Sequence, residues 1–310
     1  GKCGAAYPED ADSAFCMKNS RCGNCGSLDI PPYFMEDKMI KKELTDFDIR
    51  QIALSGQCFR LRPLSEYTFS LTALGRYLEI SRQGAETVFS CTEQEWEDVW
   101  ENYFDLHTDY AGIKKAIDPE DFYLQEAARI GGGIRILRQE LWETIVTFII
   151  SQQNNIPRIQ KCVDALCGEF GSEAENFHGN TYRLFPGPEA VASATEERLR
   201  EMGLGYRAPY IVKTARMVCE KEVDLDRLPA LGYEEAKAEL LKLCGVGTKV
   251  ADCICLFALH HIEAFPIDTH IKAMLKRYPE GFPFERYQGF AGVLQQYAFY
   301  YELHGQKGAE

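Results

Sequence analysis

The sequence reads as an α+β fold, a small antiparallel β-sheet near the N-terminus packed on a mostly α-helical domain that contains a helix-hairpin-helix. Three observations predict it. Between about residues 40 and 100, short β-branched and aromatic runs alternate with Gly or charged turns. After Gly131-Gly132-Gly133 the apolar residues recur at three- and four-residue spacings. Within that helical region, Gly245-Val246-Gly247 separates two helical patterns.

Residues 1–38 are polar and irregular, close on the turn-rich SLDIPPYF, and read as an extension without a core of its own. They carry Cys3, Cys16, Cys22 and Cys25. The final CGNC has the spacing of half a tetrahedral thiolate zinc site, so a structural zinc is one expectation and incidental thiols the other. The sheet domain with its connecting helices is expected over 39–130. Its strands are SGQCFRL, YTFSLTALG, RYLEISRQG and ETVFSC. The helical domain is expected over 131–310, with the hairpin at 236–260. LWETIVTFIISQ, RIQKCVDALCGEF, TEERLREMG, PYIVKTARMVCEKE and YEEAKAELLKL belong to at least seven helices, and Gly or Pro marks most joints.

The 310 residues, 45% of them hydrophobic, suffice for a substantial core. The longest apolar runs, TIVTFII and CICLFAL, are far shorter than the roughly 20 residues that cross a bilayer, and no charged-then-apolar leader opens the sequence. Eight of the 12 cysteines lie among apolar positions, which favours reduced thiols over a disulfide framework. An intracellular location is therefore expected, nucleoid-associated or nuclear. A formal net charge of −13 argues against indiscriminate attraction to phosphate, so any nucleic-acid contact must be local. The stretch 242–277 offers such a place. It sets Lys242, Lys249, Lys272, Lys276 and Arg277 against Asp252, Glu263 and Asp268.

In AKAELLKLCGVGTKVADCICLFAL, Gly245 and Gly247 permit a tight turn that lets the backbone approach another molecule. Amides at the start of the second helix then form an anion site suited to a DNA phosphate. Lys249 falls in the first turn of that helix, where the macrodipole disfavours an ammonium and favours a nucleophilic amine. Asp268, in FPIDTHIKAMLKRY, reads as the N-cap of the next helix, facing back toward the hairpin. On the residues alone, the Asp is as readily a simple cap and the Lys a solvated one.

LKLCGVGTKVAD, followed nineteen residues after its Lys by the Asp of FPIDTHI, resembles the helix-hairpin-helix DNA glycosylases, and most closely their 8-oxoguanine DNA glycosylase branch. The resemblance runs from SGQCFR, near residue 55, to the end of the chain. Cys244 departs from it, since the family hairpin usually carries Pro there. The resemblance implies a bifunctional glycosylase and AP lyase that needs no cofactor. Lys249 would attack the anomeric carbon and form a Schiff base, and Asp268 would stabilise the developing positive sugar. Cys253 and Phe299 would sandwich the flipped base, Gln295 would pair with its Watson–Crick edge, and the Gly56 carbonyl would accept the extra N–H of 8-oxoguanine. Burial in the core is the alternative reading for Cys253 and Phe299, and an ordinary turn glycine for Gly56.

The loops SQQNNIPRI and GLGYRAPY would fill the hole left in the duplex and read the orphaned cytosine through Asn154, Arg158, Tyr206 and Arg207. Gln153 stands where human-like members carry Asn, which bears on the choice of opposite base. His270 is expected to contact a phosphate or tune Asp268, or else to be a surface histidine. The partner is double-stranded DNA containing oxidised guanine, and the chain is expected to be a monomer. Two other functions fit the same build: an alkyl-base glycosylase, which would not need Lys249, and a non-catalytic helix-hairpin-helix DNA-binding protein.

Overall fold

The computed structural model describes residues 39–305. Strands β1 (Ile40–Lys42), β2 (Leu61–Pro63), β3 (Thr68–Ala73), β4 (Arg76–Gln83) and β5 (Glu86–Phe89) form one antiparallel sheet in the order β1-β5-β4-β3-β2. Alternation in β3 buries Phe69, Leu71 and Ala73. The register sets Phe69 opposite Ile80 and Leu71 opposite Leu78, so the apolar side chains share one face. That face meets Trp96, Trp100, Tyr103 and Phe104, which come from a helical stretch over 93–103 and its end.

SGQCFRL is not the strand its composition predicts. Only Leu61–Pro63 pairs, while the preceding DIRQIAL forms helix α1 (Ile49–Leu54). Asp48 caps α1 through its side chain, accepting from the amides of Arg50 and Gln51. Gly56 then turns the chain with a left-handed φ of +73°.

Counting the stretch 93–103 as α2, the remaining helices are α3 (Tyr110–Lys115), α4 (Phe122–Ile130), α5 (Leu141–Ser151), α6 (Ile156–Phe170), α7 (Pro188–Ala192), α8 (Glu196–Leu199), α9 (Ala208–Cys219), α10 (Tyr233–Leu240), α11 (Thr248–Phe257), α12 (Thr269–Leu275) and α13 (Ala291–His304). A short hairpin of β6 (Glu173–Glu175) and β7 (Thr181–Arg183) interrupts them. Helix α5 is central: every residue from Thr144 to Ile150 is buried, as expected for a helix apolar on all sides. It packs with α6, α9 and α11 in a second core that includes Ile145, Ile149, Val163 and Ile254 and, from α13, Leu294.

The two cores are joined by polar groups that are themselves paired. Buried Arg135 donates to the carbonyls of Thr45, Asp46 and Asp105. Buried Gln57 donates to the Arg135 carbonyl at 2.9 Å and accepts from the Leu137 amide at 2.8 Å. The turn around Gly56 is thus held against the segment leading into α5. The eight cysteines among the described residues are free thiols. No helix among those residues is long and apolar enough to cross a membrane.

Candidate active site

Helices α10 and α11 form the expected hairpin, and its geometry follows from its glycines. Gly245 has a φ of +82°, and a Cβ there would lie 2.6 Å from Cβ of Tyr210, so both backbone and space require glycine. Gly247 precedes α11 and offers no side-chain cap, so among the described residues the first amides of that helix have no side-chain acceptor. The pair of helices is braced by buried Asp252, which accepts from Tyr233 Oη at 2.7 Å and pairs with Lys237 Nζ at 2.7 Å.

Lys249, one residue into α11, is half-buried, with its ammonium over the Phe148 ring, 5.3 Å from the centroid. Asp268 is the N-cap of α12, its Oδ1 accepting from the Ile271 amide at 2.8 Å. Both line one cavity of about 50 Å³, together with Gly56, Cys253, Gln295 and Phe299. Residues from α1's exit turn, α5, α11, the loop before α12 and α13 therefore converge on one point. Burial raises the Cys253 thiol above its ordinary range, with the Lys249 ammonium opposing. At about 50 Å³ the cavity has room for a few waters and not for a purine. It adjoins a cleft of about 400 Å³ shared by Lys249, Asp268, Phe299, Asn154 and His270. His270 meets the Phe299 ring edge-on, with centroids 5.7 Å apart.

Gly56 is tight against its neighbour: a Cβ would lie 3.1 Å from Cε1 of Phe299. Gln295 is buried, and its amide donates to the Pro266 carbonyl at 3.0 Å. Its edge-reading atoms are therefore engaged within the protein in this state. Sequence reasoning missed Ser55, Phe148, Phe257, Pro266 and Gln296, which also line the cavity. Phe148 and Phe257 lay in apolar helical runs that signalled only core; they stack at 5.4 Å.

The two loops expected at the orphaned base do come together, but not as free side chains. Arg207 is buried and donates to the carbonyls of Gln152 and Gln153, while its guanidinium lies 4.4 Å from the Tyr206 ring centroid. Half-exposed Tyr206 donates from Oη to the Gln152 carbonyl at 3.1 Å. Gln152 in turn donates to the Gly245 carbonyl at 2.9 Å, which links this junction to the hairpin. Gln153 is exposed with a left-handed φ of +47°. Asn154 donates to the Ile150 carbonyl at 3.1 Å, and Arg158 projects from the exposed side of α6. Two convergent carbonyls thus engage the Arg207 guanidinium in this state.

Among the described residues no cluster of His, Cys, Asp and Glu could hold a metal ion. Cys3, Cys16, Cys22 and Cys25 lie outside the described residues.

Residues 39–145 match the family model for the N-terminal domain of 8-oxoguanine DNA glycosylase, and residues 146–280 match that for HhH-GPD superfamily base excision DNA repair proteins. The chain is 42% identical over 156 residues to an N-glycosylase/DNA lyase of Saccharomyces cerevisiae, covering 47% of this chain and 42% of that one. It is 32% identical over 235 residues to an N-glycosylase/DNA lyase of Arabidopsis thaliana, covering 72% and 64%. The matched stretches thus span less than two thirds of these relatives' own lengths. The 8-oxoguanine glycosylase/lyase of Clostridium acetobutylicum, solved with double-stranded DNA containing cytosine opposite 8-oxoguanine, is 33% identical with a TM-score of 0.80, over 87% of this chain and 99% of that one.

Proposed function

Since the chain belongs to the 8-oxoguanine DNA glycosylase branch of the helix-hairpin-helix glycosylase superfamily, we propose that it is a base-excision repair enzyme. It removes 8-oxoguanine from duplex DNA and then cleaves the strand as an AP lyase, acting as a monomer. One observation carries the assignment of residues: Lys249, Asp268, Cys253, Gln295, Phe299 and Gly56, drawn from distant parts of the sequence, line the same cavity.

In this reading the uncapped amides of α11 take a DNA phosphate, and the flipped nucleotide enters from the larger cleft. With Lys249 as the neutral amine, Nζ forms a bond to C1′ as the glycosidic bond breaks, and the base departs with the electron pair and takes up the proton that Nζ then loses. The developing positive charge on the sugar is balanced by Asp268, whose carboxylate is fixed by the Ile271 amide. Ring opening yields an imine between Lys249 and C1′. Loss of a C2′ proton then expels the 3′ phosphate by β-elimination. Phe299 and Cys253 hold the two faces of the base, Gln295 its edge, and the Gly56 carbonyl its added N–H. Entry of the base requires the cavity to widen, and the contact of Lys249 with Phe148 is displaced as it does. Asn154, Arg158, Tyr206 and Arg207 serve the orphaned strand, His270 serves a phosphate or Asp268, and Gln153 bears on opposite-base preference.

Borohydride trapping tests the reading on duplexes carrying 8-oxoguanine, 3-methyladenine, thymine glycol or no lesion. The expected result is a covalent adduct with the 8-oxoguanine duplex that disappears in Lys249→Ala. Release of 3-methyladenine without an adduct would move the chain to the alkyl-base glycosylases, and tight binding with no reaction on any lesion would make it a binding protein.

A further inference from the structure

Gln296 follows Gln295 on α13 and is only 3% exposed. A buried primary amide is costly unless its polar atoms are paired. Here the pairing can be followed atom by atom. Gln295 Nε2 donates to the Pro266 carbonyl, which orients that amide and makes its Oε1 the acceptor for Gln296 Nε2 at 3.0 Å. With the donor end of Gln296 so engaged, its own Oε1 has no hydrogen-bond partner among the described residues. Turning the Gln296 amide over would only set oxygen against oxygen. Gln296 also forms part of the wall of the cavity that holds Lys249, Asp268 and Gln295. This oxygen is itself enclosed in the narrow state of the cavity, so a ligand meets it only as the cavity widens; a leftover acceptor there favours a ligand that brings a donor and disfavours one that brings a second acceptor.

We propose that Gln296 is a further base-specificity residue, whose Oε1 accepts an N–H from the Watson–Crick edge of the extruded base. The proposal rests on the glycosylase reading above. Guanine and its oxidised forms carry N–H donors at ring N1 and at the 2-amino group, whereas adenine-type bases present a bare N1 acceptor. Pro266, Gln295 and Gln296 share this lining, and of their acceptor oxygens the Gln296 Oε1 has no partner among the described residues, so it is the one left to read a donor along that edge.

The test compares single-turnover excision of 8-oxoguanine and 8-oxoadenine by the full chain and by Gln296→Leu, with Gln296→Met as the alternative should the branched side chain not fold. Affinity for a duplex containing a tetrahydrofuran abasic analogue, which has no base to read, serves as the control. The preference for 8-oxoguanine over 8-oxoadenine is expected to fall about tenfold, the worth of one well-placed hydrogen bond, while abasic-analogue affinity stays within about twofold. An unchanged preference in a folded variant overturns the proposal alone. A wild-type chain that excises no 8-oxoguanine overturns the functional reading and this proposal together.

Discussion

Gly56 shows how much chemistry rests on a missing side chain. Its φ of +73° and the 3.1 Å approach of Phe299 to the place of a Cβ mean that any substitution strains the backbone and pushes the ring that would cover the base. Gly56→Ala is expected to cost about 1–2 kcal/mol in urea unfolding, the usual penalty for a left-handed alanine. It should also slow excision of 8-oxoguanine under single-turnover conditions. Stability alone would fall if the turn were merely structural. Arg207 presents the complementary case, a charged side chain whose availability its partners decide. Held by the Gln152 and Gln153 carbonyls, it must exchange those bonds to serve the orphaned base as proposed, or else act by shaping the loop.

At the scale of elements, the proposed function gives one helix of the hairpin both DNA contact and catalysis. The amides that begin α11 share its first turn with Lys249, so a shift of the Gly245 turn moves the proposed phosphate site and the proposed nucleophile together. Gly245→Ala forces a Cβ into Tyr210. Its affinity for an abasic-analogue duplex, read by fluorescence anisotropy, is expected to drop about tenfold or more, as for losing a charge-assisted hydrogen bond or two.

The junction of α5 with the chain entering β2 carries a different signal. Burial pushes the Glu143 carboxyl up to about 7, against the pull of Arg60 3.4 Å away and with Glu140 adding to the rise. A carboxyl that binds its proton more tightly folded than unfolded contributes most below its unfolded value. That contribution fades as pH climbs through the folded one. Between pH 5 and pH 8 the wild type should therefore lose on the order of 1–3 kcal/mol relative to Glu143→Gln. Thermal melts of both proteins at the two pH values check the sign. A difference that does not change with pH would show Glu143 ionised throughout.

For the whole molecule the governing quantity is charge. A chain of formal net charge −13 can hold DNA only through a local surface, so binding should involve few phosphates and remain sensitive to salt. A plot of log affinity against log salt is expected to have a slope of about −3 to −5, corresponding to a handful of released counterions. A slope near zero would mean that base contacts and shape dominate instead.

The sheet, the run of helices and the hairpin were legible because each depends on residues close in sequence: alternation in YTFSLTALG, three- and four-residue spacing in LWETIVTFIISQ, paired glycines before Lys249. SGQCFRL misled because β-forming composition there serves a turn and one short strand. The capping of α1 by Asp48 and the left-handed Gly56 override composition. Phe148 and Gln296 were illegible as cavity residues, since nothing local separates an apolar or amide side chain facing a pocket from one facing the core.

By itself, then, the sequence determined the fold class, the hairpin, and the family whose motif joins Lys249 to Asp268, all of which follow from local spacing and from order along the chain. Only the tertiary structure decided that Gly56, Lys249 and Phe299 share a cavity, that Arg207 is held by backbone carbonyls, and that Gln296 keeps an oxygen unpaired among the described residues. The physical reason is that burial and hydrogen-bond satisfaction are set by partners tens to hundreds of residues away. Residue identity states what a group can donate or accept, while packing states what is left for it to bind.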